Sequence, residues 1–194
     1  IGGGAVSSQL QERLQEVSTY AFATYGMTET VTHIAIRKLN NFSNAKFVLE
    51  SYYKTVTDVK ISQDHRNCLV IDAPKVSSET IITNDVVDVI SETKFIWKGR
   101  FDNVINSGGV KLHPEEIENK LFSTIHSRFF VAGLFDQILG EKLILLIEGQ
   151  ACKLDDEIFS QLSKFEIPKD VFFLPRFIET ETGKIQRLKT LDLL

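Results

Sequence analysis

The sequence has few cysteines and no long apolar run. Its two cysteines, Cys68 and Cys152, stand far apart and outside any CxxC pair, which argues against a disulfide framework and against a zinc-finger pattern. The longest apolar stretches, such as Leu143–Ile147, are too short to cross a bilayer. These scarcities predict a cytoplasmic protein with two reduced, structural thiols and no membrane partner.

Basic residues are also in the minority. The 22 Lys and Arg residues are outnumbered by 26 Asp and Glu residues, and no basic run occurs. Nucleic-acid-binding proteins usually show the opposite balance, so the composition argues against DNA or RNA as a partner. With 194 residues and 43% hydrophobic content, the chain can bury a core, and we expect a globular protein with small-molecule partners.

The stretch Gly99–Leu121, GRFDNVINSGGVKLHPEEIENKL, combines a charged turn, a glycine pair and a capped helix. Arg100 ends an apolar run with a guanidinium that can grip a diol or a phosphate, and the turn former Asp102 follows. The run Ser107–Gly109 leaves backbone that can bend or lie close to a ligand. By composition alone, a loop between two domains followed by an ordinary surface helix is the favoured interpretation of the stretch.

A second stretch, Tyr20–Thr30, reads YAFATYGMTET. Its apolar, aromatic run predicts a buried strand, which Gly26 ends in a loop that displays Thr28 and Glu29. A threonine hydroxyl can bond a phosphate oxygen, and a glutamate carboxylate is a hard ligand for Mg²⁺. The alternative is an ordinary solvated turn.

Three further positions are candidates for chemistry. Asp85 at a strand end can accept hydrogen bonds from two vicinal hydroxyls. Thr182-Gly183 predicts a loop tip that presents Lys184, whose ammonium could neutralise a carboxylate and a phosphate together; an idle surface lysine is the alternative. His33 could bind a substrate carboxylate. A lone histidine in an apolar run is more often a packed core residue, and we favour that interpretation.

The pattern predicts an α+β fold. Short runs between residues 35 and 97 favour a short-stranded, antiparallel, β-barrel-like subdomain. Beyond it we expect a small α+β lid domain. Its predicted elements are a helix at Glu115–Phe122, a hairpin with arms Ser127–Leu134 and Lys142–Glu148, a helix at Asp155–Phe165 and a strand at Val171–Leu174.

Taken in order, these strings closely resemble the motifs of the acyl-adenylate-forming (AMP-binding) family, which includes acyl-CoA synthetases, luciferases and peptide-synthetase adenylation domains. YGMTE resembles the central signature, GRFDNVINSGGVKLHPEEIE the hinge motif, and TGKIQR the lysine motif near the end of the small domain. The opening IGGGAVSS resembles a glycine-rich loop that packs near adenine, although a flexible end explains it as well.

The resemblance implies that ATP or AMP, Mg²⁺, coenzyme A and a small carboxylic acid are the ligands. It also implies a role for each matching residue. The nucleotide would be bound by Gly2, Gly3, Gly4 and Tyr25 at the adenine, by Asp85 and Arg100 at the ribose and by Thr28 at the phosphate, with Glu29 holding Mg²⁺. The acyl pocket would be lined by Thr32 and His33, and the thiol channel by Ser107, Gly108 and Gly109. Asp102 would be the hinge residue, and Lys184 would act in the adenylation step.

The sequence departs from the family at two turns and lacks one motif. Asn84 stands where the family has the glycine of Thr-Gly-Asp, and Asn67-Cys68 stands where it has Gly-Glu. No Ser/Thr/Gly-rich phosphate loop is present. We therefore expect a C-terminal portion, inactive without the N-terminal half and prone to self-association, in which residues 1–101 end the large AMP-binding domain and 102–194 form the small mobile domain. A non-catalytic binding module is the alternative from another class.

Overall fold

A computed structural model describes residues 1–3, 6, 8–41 and 51–194. Tertiary contacts divide the chain into two units, Ile1–Asp102 and Asn103–Leu194. Each unit is built on one sheet with few short helices, which confirms the α+β class. Among the helices of these ranges, none combines the length and the apolar character that a membrane span requires.

The first unit is a seven-stranded antiparallel sheet. Its strands follow the spatial order β1-β2-β3-β7-β6-β5-β4, so β1 and β4 are the two edges. The described strands therefore form an open sheet, and the barrel-like prediction is not confirmed. The elements are α1 (Ser8–Leu14), β1 (Phe22–Gly26), β2 (His33–Lys38), β3 (Tyr53–Thr55), β4 (Lys60–Gln63), β5 (Cys68–Asp72), β6 (Ile81–Ser91) and β7 (Lys94–Arg100).

The core of this unit lies on one face of the sheet. Alternation along the strands directs fully buried side chains such as Leu69, Ile71 and Phe95 to that face. Strand β6 runs unbroken for 11 residues, so the prediction that Asp85 stands at a strand end is wrong: it lies inside the strand. The chain stays extended there because Asp85 pairs directly with Arg100 on β7.

The second unit is a five-stranded mixed sheet around the β10–β11 hairpin. Strand β12 pairs parallel to β11, and the other pairings are antiparallel. The hairpin and β12 confirm the predicted strands of this region. The elements are β8 (Ile105–Ser107), β9 (Val110–Leu112), α2 (Pro114–Leu121), β10 (Phe129–Asp136), β11 (Gly140–Glu148), β12 (Asp170–Leu174) and α3 (Arg187–Leu191).

Both faces of the β10–β11 hairpin are covered. One face carries Val131 and Leu145 and packs against Ile117 and Leu121 of α2. The other face carries Phe130 and packs against residues that follow β12 and against α3. Because both faces are buried, these two strands read as nearly continuous apolar runs.

The predicted helix at Asp155–Phe165 is wrong. Only a 3-10 turn forms, at Asp156–Phe159, followed by further turns. Side chains compete here for the backbone N–H groups: Asp155 accepts from the N–H of Glu157 at 3.1 Å, and the Glu166 carboxylate accepts from the N–H of Ser163 at 2.8 Å. Bonds from residue i+3 to residue i then replace the helical ladder.

Candidate active site

An open cavity of about 380 Å³ lies where β1 gives way to its loop. It is lined by four predicted site residues, Gly3, Thr28, Thr32 and His33, together with Thr24, Gly26, Met27 and Val31. Gly2 packs beside it, where a Cβ atom would overlap the Thr24 hydroxyl. Gly4 lies outside the described residues. The structure thus brings together the predicted glycine loop, phosphate loop and acyl-pocket residues of the first unit.

Two features force the chain to turn at this cavity. A Cβ on Gly26 would lie 2.5 Å from the Thr32 carbonyl oxygen, so only glycine fits where β1 meets β2. The buried hydroxyl of Thr30 accepts from the N–H of Met27 at 3.0 Å and donates to the Thr32 carbonyl at 2.7 Å. This closed loop leaves the side chains of Thr28 and Glu29 exposed in solvent.

Val31 carries backbone strain at the rim of the cavity. Its φ of 61° lies in the left-handed region, which a β-branched residue rarely adopts, and its side chain is 82% exposed. Strain of this kind persists where neighbouring contacts determine the backbone, and it concentrates at functional sites. The hydrogen bonds of Thr30 on one side and the start of β2 on the other supply that constraint here.

Glu29 offers a single carboxylate. Within the ranges that the structure describes, no three His, Cys, Asp or Glu side chains gather into a metal site. Magnesium in nucleotide sites is commonly held by one or two carboxylates, with substrate phosphates and water as the other ligands. An exposed glutamate next to the Thr28 hydroxyl fits that mode and does not fit an all-protein metal cage.

His33 is not a core residue, so the favoured sequence interpretation is wrong. It is the first residue of β2, is exposed, and lines the cavity, with its Nδ1 3.4 Å from the Thr32 hydroxyl. The apolar run begins only after it, with the fully buried Ile34 and Ala35. The less favoured interpretation, a residue facing a ligand pocket, agrees with its position.

Asp85 is buried and hydrogen-bonded within the first unit. Its Oδ2 accepts from the Tyr25 hydroxyl at 2.6 Å, and its Oδ1 accepts from the Trp97 indole N–H at 3.1 Å. Arg100 Nη1 lies 3.9 Å from Oδ1, so the structure brings together the predicted pair of ribose ligands. Burial and the Asp85 charge raise the pKa of Tyr25, which keeps its phenol protonated and donating.

The Tyr25 ring itself lies among aromatic neighbours. Its centroid is 5.2 Å from that of Phe95, edge to face, and 5.9 Å from that of Tyr53. Tyr25 therefore has a structural role that the sequence alone did not indicate: its ring packs against other aromatic rings and its hydroxyl donates to Asp85. Its stacking on adenine stays a prediction.

Sequence reasoning missed a polar network next to the end of the first unit. Arg66 donates to Asp64 at 2.8 Å and to the Asn84 side-chain oxygen at 2.9 Å, and its guanidinium lies 5.2 Å from the Phe101 ring centroid. The Asn84 amide nitrogen then lies 3.4 Å from the Asp102 carboxylate. Asn84, at the position of the family's glycine, therefore links a neighbouring turn to the predicted hinge residue.

The glycine pair of the second unit forms a tight hairpin turn between β8 and β9. Ser107 pairs with Val110, and φ is 58° at Gly108 and 84° at Gly109. Two central residues with positive φ define the type I′ turn, which strongly favours glycine, asparagine or aspartate. The turn explains both glycines, and the thiol-channel role of these residues stays a prediction.

Lys184 follows the tip of a second tight turn. The N–H of Thr180 donates to the Lys184 carbonyl at 2.8 Å, Gly183 has a φ of 77°, and the lysine is exposed. Three residues later, Arg187 donates to both oxygens of Glu118 on α2, at 2.7 and 2.8 Å. Sequence reasoning missed this ion pair, which links the chain just after the lysine turn to helix α2 of the same unit.

No protein-family model matches the chain. The 2-succinylbenzoate–CoA ligase of Bacillus subtilis is 25% identical over an alignment that covers 99% of this chain and 45% of that protein. The vibriobactin-specific 2,3-dihydroxybenzoate-AMP ligase of Vibrio cholerae is 31% identical over 55% of this chain and 21% of that protein. The chain thus spans less than half the length of these curated relatives.

A solved structure shows the same fold. The o-succinylbenzoate coenzyme A synthetase of Bacillus subtilis, in complex with ATP and magnesium ion, aligns with a TM-score of 0.81 at 22% identity, over 98% of this chain and 45% of that one. At this identity the likeness concerns the fold. Together with the curated relatives, it confirms the family resemblance: the homologues and structural neighbours of this chain are AMP-forming acyl-CoA and acyl-AMP ligases, o-succinylbenzoate-CoA ligase among them.

Proposed function

We propose that the chain is the C-terminal portion of an AMP-forming acid–CoA ligase, specifically o-succinylbenzoate-CoA ligase, a cytoplasmic enzyme of menaquinone biosynthesis. The observation that carries the proposal is similarity to 2-succinylbenzoate–CoA ligases over nearly the whole chain. The strings GGGAVS, YGMTETVTHIA and FDNVINSGG support the same assignment, because they resemble this enzyme most within the family.

In the first step, a carboxylate oxygen of the acid attacks the α-phosphorus of ATP, and pyrophosphate leaves. The Thr28 hydroxyl would bond a phosphate oxygen, and Glu29 would hold Mg²⁺, which neutralises phosphate charge when bound. Lys184 would donate to the acid and the α-phosphate, lowering the barrier to displacement. Asp85 and Arg100 would hold the ribose hydroxyls, and Thr32 and His33 would face the acid.

In the second step, the thiol of coenzyme A attacks the carbonyl carbon of the acyl-adenylate, and AMP leaves. We propose that the second unit turns about Asp102 between the steps, so that Lys184 leaves the reacting atoms. Ser107, Gly108 and Gly109 would then line the path of the thiol. The enzyme needs no covalent intermediate, because the mixed anhydride is already activated toward the thiol.

A second candidate is a ligase for another aryl or medium-chain acid. One observation favours it: the 2,3-dihydroxybenzoate-AMP ligase of Vibrio cholerae shows the higher identity, 31%, although over only 55% of the chain. The remaining alternative is a non-catalytic module that binds a nucleotide and performs no chemistry.

The test is acid-dependent ATP–pyrophosphate exchange by the full-length gene product that contains this chain. The acids are o-succinylbenzoate, 2,3-dihydroxybenzoate, benzoate and a medium-chain fatty acid, each at matched concentration, and the 194-residue chain alone is assayed in parallel. We expect exchange with o-succinylbenzoate only, and only by the full-length product.

Each other outcome selects an alternative. Exchange with a different acid keeps the ligase mechanism and rejects the o-succinylbenzoate assignment. A full-length product that exchanges with none of the acids rejects the ligase and favours the binding module. Exchange by the isolated chain would reject the claim that the reaction needs the missing N-terminal half.

A further inference from the structure

A β-bulge on β7 brings two unlike side chains to the same carboxylate. Asp85 pairs with Arg100 and Val86 with Gly99, but Val87 pairs with Trp97, so Lys98 is the extra residue. In a regular strand, residues three apart point to opposite faces. The bulge cancels that alternation and places Trp97 and Arg100 on the face that carries Asp85.

The carboxylate of Asp85 is held from two sides by neutral donors. Trp97 Nε1 donates to one oxygen at 3.1 Å, and the Tyr25 hydroxyl donates to the other at 2.6 Å. The N–H of Asp85 also donates to the Thr83 hydroxyl at 3.1 Å. Because an indole N–H can only donate, Trp97 is always the donor and Asp85 always the acceptor in this hydrogen bond. The two donors therefore fix the rotation of the carboxylate group.

The fixed carboxylate keeps capacity for a ligand. A carboxylate has about four lone-pair sites, and among the residues that the structure describes the two donors use one on each oxygen, which leaves one on each for a ligand. Asp85 is only 6% exposed, whereas the adjoining side chain of Arg100 is 49% exposed. The arrangement suits two neighbouring hydroxyl donors that approach from the Arg100 side, one for each oxygen.

We propose that Trp97 is a positioning residue which, with Tyr25, orients Asp85 for recognition of the vicinal 2′,3′-diol of a ribonucleotide. The inference rests on the proposed function for the identity of the ligand. It goes beyond that function because it assigns to Trp97 a share in the discrimination between ribose and deoxyribose.

The experiment compares ATP with 2′-deoxy-ATP and 3′-deoxy-ATP in the pyrophosphate exchange of the full-length product, using wild type and Trp97→Phe. Phenylalanine keeps an aromatic ring and removes the indole N–H. We expect wild type to prefer ATP in kcat/KM by at least about tenfold, as is typical of a hydrogen bond to a charged group. Trp97→Phe should lower that preference several-fold, through a raised KM for ATP, and leave kcat/KM for the deoxy substrates nearly unchanged.

A purely structural role of Trp97 gives a different result, because it would lower kcat/KM for all three nucleotides by the same factor. That outcome, or a wild type that does not discriminate, overturns the inference. Tyr25→Phe removes the other donor, leaves Trp97 in place and should lower the preference for ATP over the deoxy nucleotides in the same way. If circular dichroism shows that Trp97→Phe does not fold, Tyr25→Phe serves as the test of whether the donors orient Asp85.

Failure of the proposed function can be distinguished from failure of this inference. Trp97 is the single tryptophan of the chain, so its fluorescence reports directly on the Asp85 carboxylate. If no acid supports exchange, the 194-residue chain is titrated with adenosine and with 2′,3′-dideoxyadenosine. A fluorescence change with adenosine alone supports the inference without the ligase reaction, and no change, or the same change with both nucleosides, overturns it.

Discussion

The two units present their candidate site residues in opposite ways. In the first unit, Asp85 is buried on a central strand, and side chains from two other strands hold its oxygens. In the second unit, Lys184 is exposed beside a turn tip that backbone bonds and a threonine hydroxyl define. In the proposed reaction, Asp85 would recognise the ribose and gain from a fixed orientation, whereas Lys184 would enter and leave the site and therefore has to stay exposed.

The largest expected effect on stability concerns the anchor of the lysine turn. Arg187→Ala leaves Glu118, whose side chain is 18% exposed, without its cationic partner and with only the hydrogen bond from the Val131 N–H. We expect a loss of about 3 kcal/mol in the free energy of unfolding, because an unpaired buried charge is strongly destabilising. Urea unfolding of the chain at pH 7, followed by circular dichroism, measures it. The matched control is Arg128→Ala, which removes a 45%-exposed partner of Glu148 and should cost about 1 kcal/mol or less.

The pH dependence of that variant has a defined sign. Burial raises the pKa of Glu118 above its ordinary 4.5, and Arg187 opposes the shift. A carboxyl with a raised folded-state pKa contributes most below its unfolded pKa and loses that contribution as the pH rises through the folded value. The loss of unfolding free energy caused by Arg187→Ala should therefore be largest at pH 7 and become smaller toward pH 4.5. A deficit that is independent of pH contradicts the buried-charge explanation.

The second effect tests whether the exposed lysine serves one step only. Lys184→Ala in the full-length product should lower pyrophosphate exchange by about 10²–10³-fold, the usual effect of losing one electrostatic contact to a transition state. Conversion of a supplied acyl-adenylate to thioester should continue at nearly the wild-type rate. Lys189→Ala, an exposed lysine on α3, is the control and should leave both half-reactions intact. Equal losses in both half-reactions for Lys184→Ala would contradict the assignment.

A third substitution separates the turn at Gly108 from its proposed role in the thiol path. Asn-Gly is a favoured pair for a type I′ turn, so Gly108→Asn should change the free energy of unfolding by less than about 1 kcal/mol. The new Cβ would lie 3.1 Å from Cδ2 of Leu139, a flexible side-chain end that can move. We expect thioester formation to fall by at least about tenfold, through misplacement of the thiol, while pyrophosphate exchange is unaffected. Unaltered thioester formation would remove Gly108 from the thiol path.

The smallest expected effect concerns Asn84, which links Arg66 to Asp102. Asn84→Gly restores the residue usual in the family and removes hydrogen bonds at 2.9 and 3.4 Å. Since these bonds are partly exposed, we expect the ratio of the two half-reaction rates to change by only about two- to tenfold. The ratio is measured with each half-reaction started separately. No change would show that Asn84 does not restrain the hinge.

Most strands could be predicted from local pattern, and the reason is physical. The β10–β11 hairpin is buried on both faces, so its apolar runs are long and unambiguous. Four strands and one helix were missed. Strand β2 begins with exposed His33, strands β3, β8 and β9 have only three residues each, and helix α3 has only five. The Asp155–Phe165 segment has helical spacing, but its polar side chains bond the local backbone instead.

The candidate site was predicted in part. The order of the motifs located Thr28, Glu29, Asp85 and Arg100, and the structure brings the last two together as a cross-strand pair. The donors to Asp85 could not be predicted, because Tyr25 is 60 residues away along the chain. One signal was available: a lone tryptophan in an apolar run needs an acceptor for its N–H when it is buried.

Local pattern alone determined the α+β class, the β10–β11 hairpin and the loop tip at Gly183, and the motif strings indicated the family by resemblance. These properties depend on neighbouring residues, through alternation, positive φ and short fixed strings. Only the tertiary structure decided that His33 faces a cavity and that Trp97 shares a carboxylate with Tyr25. The bulge at Lys98 reverses the alternation on β7, and pairing between distant strands, which no local pattern specifies, places these side chains around Asp85.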